Sequence, residues 1–179
     1  MLLDTPVCDF GWPAPGFTLP DATGKMHAMA DHMGDKGVLV AFICNHCPYV
    51  QRIAGDLAAD TAALMGAGVG VIAIMPNDFN AYPADRPEEM LRFAAAHGFG
   101  FPYLVDADQA VARAYGAVCT PDFFGFDATG GLQYRGRLRG PDGGTDLLDA
   151  MRQVAETGQG PQDQTPSMGC SIKWRSDPT

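Results

Sequence analysis

The sequence predicts an α/β fold: a central mixed sheet flanked by helices, with a β-hairpin extension before it and an irregular tail after it. Three observations carry this. An apolar run at 37–43, a helical pattern at 48–64 and a second apolar run at 69–75 make a strand, helix, strand unit, whose two strands run parallel because the chain returns through a helix. The aromatic run at 122–126, the turn Asp127-Ala128-Thr129-Gly130-Gly131 and the run at 132–137 make a hairpin, so these strands are antiparallel. Finally, 179 residues with 46% apolar content suit one globular domain, divided into an extension at 1–36, a core at 37–157 and a tail at 158–179.

Taken in order, Pro13, Pro15 and Gly16 fix an extended or turning entry to a short strand around Phe17-Thr18-Leu19. A turn at 20–24 and a returning strand at 25–29 complete the hairpin, and 31–36 is a polar approach to the first apolar strand. Val50, Ile53, Leu57, Ala58 and Leu64 then recur near helical spacing, with Gln51, Arg52, Asp56 and Asp60 largely between them. Gly66-Ala67-Gly68 stops this helix, and the strand at 69–75 is too apolar throughout to have a wet face. Gly66, Gly68 and Gly70 are not read as a phosphate loop, since they precede a strand instead of opening a helix. The stretch 76–86 is a long irregular connection, a type that often carries function. Pro87-Glu88-Glu89 opens a helix to His97, with proline and acid where a helix start tolerates them. A short strand at 101–106, a short helix at 108–115 capped by Asp106 or Asp108, and a final helix at 146–155 complete the elements.

Charge and cysteine usage narrow the partners. A formal charge of −9 argues against a nucleic-acid groove or an anionic membrane surface, so neutral or basic partners are expected. No apolar run approaches the roughly 20 residues needed to span a bilayer, and Met1-Leu2-Leu3-Asp4 lacks a basic region followed by an apolar one, so a cytoplasmic location is expected. The five cysteines are too few and too uneven for a secreted disulfide framework, which fits a reducing compartment with one catalytic pair.

That pair lies in Cys44-Asn45-His46-Cys47-Pro48, at a strand-to-helix junction. Two thiols three positions apart can close a small disulfide ring, and a helix start favours thiolate over thiol through its unpaired N–H groups and macrodipole. Cys44, placed at the helix mouth, is expected to be the attacking thiolate, with Cys47 one turn in and closing the ring. His46 can carry a proton and, when charged, stabilise a neighbouring thiolate, which favours the dithiol over the disulfide. A zinc half-site is the alternative, but zinc normally takes four protein ligands and no second Cys-x-x-Cys or His-x-x-x-His appears, so no metal is expected. Further along, Thr120-Pro121 stands at the entrance to the aromatic strand, a candidate cis peptide.

In this order of elements, over about residues 14 to 157, the chain resembles the thioredoxin fold. The phrases Cys-Asn-His-Cys-Pro-Tyr-Val and Gly169-Cys170-Ser171-Ile172-Lys173-Trp174, with the N-terminal hairpin and the 76–86 insertion, resemble a narrower group. That group is the redoxin, or alkyl hydroperoxide reductase and thiol-specific antioxidant, superfamily in its peroxiredoxin-like branch. The resemblance implies a cis Pro121 beside the cysteines and a Thr120 backbone free to pair with an extended substrate, so Asn45, Thr120 and Pro121 are the expected substrate contacts. It implies a thiol-disulfide oxidoreductase with no cofactor beyond its own disulfide, exchanging with a protein or small-molecule thiol or disulfide and re-reduced by a partner protein or glutathione. The alternatives are a thiol peroxidase and a non-enzymatic adaptor.

Two departures from the family matter. Where thioredoxins keep a buried acid in the strand before the cysteines, this chain has Ala41, so proton removal from Cys47 needs another group or water, with His46 the nearest candidate. The peroxidase pattern Pro-x-x-x-Thr-x-x-Cys is also missing: counting back gives Ala41 and Gly37 from Cys44, and Cys44 and Val40 from Cys47. An arginine to hold peroxide could come from Arg135, Arg137 or Arg139, though the sequence places none of them at the site. Cys119 and Cys170 are candidate third thiols. The polar tail ends in Ile172 and Trp174, which are expected to dock and bring Cys170 near the pair, or else to anchor a tail with an idle cysteine.

Overall fold

A computed structural model describes residues 1–176. Its main sheet has five strands in the order β6-β5-β4-β8-β9. These are β4 (Gly37–Phe42), β5 (Val69–Met75), β6 (Tyr103–Val105), β8 (Asp122–Phe126) and β9 (Leu132–Tyr134). β4, β5 and β6 are parallel, while β8 runs antiparallel to both β4 and β9, so the sheet is mixed.

The central strand shows why this sequence folds so. Every residue of β4 is buried, and side chains alternate between the two faces. Leu39 and Ala41, with Ile43 just beyond, pack into a core shared with α1 (Pro48–Gly66), α2 (Pro87–His97) and α4 (Asp146–Thr157). Val38, Val40 and Phe42 face a second core closed by α3 (Ala110–Tyr115), Trp12, Leu19 of the hairpin strand β2 (Thr18–Pro20) and Met29, which follows its partner β3 (Met26–Ala28). The glycines before β5 serve packing: a Cβ on Gly70 would collide with the His32 carbonyl, so the backbones can approach only without side chains. Asp106 holds the start of α3, its carboxylate accepting the N–H of Val111 at 3.3 Å and of Ala112 at 2.8 Å.

The tail departs from the irregular segment expected. Met168–Ser171 forms a strand, β10, in the middle of a second sheet, between β1 (Leu2–Asp4) and the two-residue β7 (Cys119–Thr120). Its register sets Cys170 opposite Thr120 and Ser171 opposite Cys119. Gly169 makes this possible, since a Cβ there would collide with the Thr120 carbonyl. Beyond β10 the chain is well anchored: Ile172 is buried, the Lys173 N–H donates to Asn77, and the Arg113 guanidinium lies 4.4 Å over the Trp174 ring. Hence the Thr120 backbone is not free for an extended substrate, because the chain's own strand already pairs there.

Candidate redox site

The Thr120–Pro121 peptide is cis, and it brings Thr120 against both cysteines. The Cys44 thiol lies 3.3 Å from the Thr120 hydroxyl, and the Cys47 thiol donates to the Thr120 carbonyl at 3.3 Å. Both sulfurs are buried, at 1% and 0% exposure. All five cysteines are free thiols, so this is the dithiol form.

The helix geometry corrects which cysteine stands at the helix mouth. α1 begins at Pro48, a residue suited to a first helical turn, so Cys47 is its N-cap and stands at the helix mouth, while Cys44 lies three residues outside. The Cys47 thiol is pulled down to about 4, first by the hydrogen bond from Cys44 and, against the cost of burial, by the Val50 N–H and Cys170. Cys44 is pushed well above its ordinary range because its proton is held toward Cys47, with burial and the nearby charge of Asp85 acting the same way. The two shifts are one coupled effect: a proton held between the sulfurs lowers one thiol and raises the other.

Asp85 is the residue that sequence reasoning missed. It lies in the 76–86 connection, in a single 3₁₀ turn (Pro83–Asp85), fully buried. Its carboxylate accepts the N–H groups of Asn45 at 2.8 Å and His46 at 3.2 Å, the Asn77 amide at 2.9 Å, and His46 Nδ1 at 2.5 Å. Burial alone would raise its pKa; the hydrogen bond from His46, then those from Asn77 and Asn45, outweigh this and hold it below the ordinary carboxylate range. His46 is raised in turn, chiefly by its hydrogen bond to Asp85, against burial. Its ring stacks on Tyr82 at 5.5 Å. Ala41 supplies no acid, and Asp85 places one beside His46 from another element. The length of the 76–86 connection was the sequence signal for it.

The other expected residues are less open than predicted. Asn45 is 6% exposed, and its amide bonds the Ala84 carbonyl at 3.0 Å and the Tyr103 hydroxyl at 2.9 Å, so its side chain holds the loop together instead of facing a substrate. Cys119 is buried, donates to the Pro121 carbonyl at 3.7 Å and is pushed up to about 12 by burial, which leaves it a thiol. Cys170 packs against the core that includes Cys44 and Cys47, and its pKa is raised by burial and then by Cys47. Arg135, Arg137 and Arg139 are each paired with an acid, Asp122 at 2.9 Å, Asp146 at 2.6 Å and Asp60 at 2.7 Å respectively, so the structure does not put them on the sulfurs. Cys44, His46 and Asp85 offer donor atoms within 4.8 Å of one another, a set that could hold a metal ion. Against that use, the Asp85 oxygens already accept four hydrogen bonds.

The fold and its paired thiols define a redoxin with a thioredoxin-like architecture. The model of the AhpC/TSA family matches residues 10–135, and the chain belongs to that family. It is 32% identical to a candidate peroxiredoxin of Mycobacterium tuberculosis, over 63% of this chain and 66% of that protein's length, just under two thirds. It is 29% identical to the thiol-disulfide oxidoreductase ResA of Geobacillus thermodenitrificans, over 67% of this chain and 64% of the relative. Among solved structures, an uncharacterised conserved protein of Geobacillus kaustophilus superposes with a TM-score of 0.92 at 37% identity, covering 99% of this chain and 98% of that one.

Proposed function

We propose that the protein is a thiol-disulfide oxidoreductase that cycles a disulfide between Cys44 and Cys47. One observation carries this reading: two thiols three residues apart both bond to the same residue, Thr120, which brings together the two side chains that an S–S bond would join. The Cys47 thiolate attacks a substrate disulfide, forming a mixed disulfide and releasing one substrate thiolate. Cys44 then gives up its proton and attacks Cys47, releasing the second substrate thiolate and leaving Cys44–Cys47 oxidised. The released thiolates take up protons from water or from His46. Protonated His46, held by Asp85, favours the thiolate and hence the reduced form, which makes the pair more oxidising.

The substrate should be small. With β10 on Thr120, strand addition is closed, and a cavity of about 680 Å³ beside Pro121, lined by Tyr49, Arg52, Ile53 and Met168, suits a molecule of modest size. Re-reduction falls to a dithiol protein or glutathione, and a cytoplasmic setting would supply either. Among the described residues no helix is long and apolar enough to cross a membrane.

Parallel assays of a small disulfide and of hydrogen peroxide, on the wild type and on Cys44→Ser and Cys47→Ser, test the reading. Disulfide turnover lost in both variants supports it. Peroxide turnover that survives Cys44→Ser and exceeds disulfide turnover would instead make the protein a peroxidase.

A further inference from the structure

A third cysteine stands beside the redox pair, on the strand that closes the site. Cys170 sits in β10 opposite Thr120, the residue to which both site cysteines bond, and packs against the core that holds Cys44 and Cys47. Of the three sulfurs only Cys170 belongs to a half-exposed residue, whereas Cys44 and Cys47 are 1% and 0% exposed. A disulfide between the inner two is therefore shielded from any bulky reductant. Nor does the tail look made to swing away. Ser167 donates to the Pro121 carbonyl at 2.8 Å, Ile172 is buried, and the Lys173 carbonyl accepts from Asp78 at 2.8 Å and Gln109 at 2.9 Å.

We propose that Cys170 is a relay thiol that carries the disulfide from the buried pair to the surface. This rests on the cycling of Cys44 and Cys47 proposed above. The Cys170 thiolate attacks the Cys47 sulfur of the oxidised pair; the Cys47–Cys170 bond forms, the Cys44–Cys47 bond breaks, and Cys44 leaves as a thiolate and takes up the proton that Cys170 gave. No electrons are gained or lost in this step. The external reductant then meets Cys170, and a thiol or dithiol of small size or on a protein supplies the two electrons that return all three cysteines to thiols.

The timing of the step is built into the contacts. In the dithiol form Cys170 is held as a thiol, first by burial, then by its hydrogen bond to the Cys47 thiolate and by that charge. Once Cys47 is in a disulfide it carries no charge, both of those latter effects vanish, and the nearby Lys173 ammonium still favours the Cys170 thiolate. Cys170 so becomes a nucleophile when there is a disulfide to attack.

Two measurements on the full chain test the relay. Cys44→Ser, treated with one equivalent of diamide, alkylated and mapped by mass spectrometry, is expected to hold an intramolecular Cys47–Cys170 disulfide; finding both thiols alkylated, or joined only between molecules, overturns the relay. Wild type treated alike reports on the Cys44–Cys47 disulfide separately, so failure of the relay is distinguishable from failure of the pair. Oxidised Cys170→Ser, and Cys170→Ala as a second variant, should be reduced by a protein dithiol, reduced thioredoxin, at least about tenfold more slowly than wild type. Unchanged rates in both variants also overturn it.

Discussion

Replacing Asp85 with asparagine removes the charge at the centre of the site while keeping its shape. The carboxylate accepts four hydrogen bonds with no exposure to water. Asparagine keeps one oxygen for the Asn45 and His46 N–H groups but turns an NH₂ toward His46 Nδ1 and the Asn77 amide, where donor meets donor. Two hydrogen bonds to a charged acceptor are lost at about 1.5–3 kcal/mol each, so Asp85→Asn should destabilise the fold by about 3–6 kcal/mol. The cost depends on pH in a way that fixes its origin. His46 is raised by its hydrogen bond to Asp85, so its share is fully present below its unfolded value near about 6.5 and is lost as pH climbs through the higher folded value. Asp85 is held low, so its share is present above about 3.9 and is lost as pH falls through the folded value. Urea unfolding of both proteins should therefore show the largest gap between about pH 4 and 6.5, narrowing as the solution becomes alkaline. A gap below about 1 kcal/mol at pH 5.5, or one that widens with rising pH, would refute the reasoning.

His46→Ala should make the pair less oxidising, because the protonated imidazole no longer favours the thiolate; the potential against a glutathione buffer is expected to fall by about 30 mV, and a change within about 10 mV would show that His46 has no such part. Gly169→Ala should lower Tm and speed proteolysis of the tail, since the added methyl meets the Thr120 carbonyl and drives β10 off β7; an unaltered Tm would contradict the close fit. Arg135→Ala should cost about 3–5 kcal/mol in urea unfolding, because it leaves the carboxylate of Asp122 buried without its partner; a cost near zero would mean that water or another group replaces it.

What the sequence could show was set by range. β4, β5 and α2 carry strong local patterns, an apolar run or an acidic, proline-led helix start, and α2 spans the predicted 87–97. β1 and β10 carry none: Leu2–Asp4 and Met168–Ser171 are short, β1 is a strand because it pairs with β10 across nearly the whole chain, and β10 because it lies between β1 and β7. That Cys44 and Cys47 lie together was legible from spacing, but which of them caps the helix was not. That depends on where α1 starts, and Pro48 makes Cys47 the cap. Asp85 was hidden for a similar reason. It reaches His46 from 39 residues away, out of a segment with no periodicity, so only the missing acid at position 41 and the length of the insertion hinted at it.

The central claim is that Cys44 and Cys47 share one two-electron couple. The most direct measurement equilibrates the protein in glutathione buffers of graded potential, alkylates it and counts the free thiols at each position by mass. The expected result is that Cys44 and Cys47 lose alkylation together, along a curve with about 30 mV per tenfold change in ratio. Both positions remaining fully alkylated across the range, or one disappearing without the other, would contradict it.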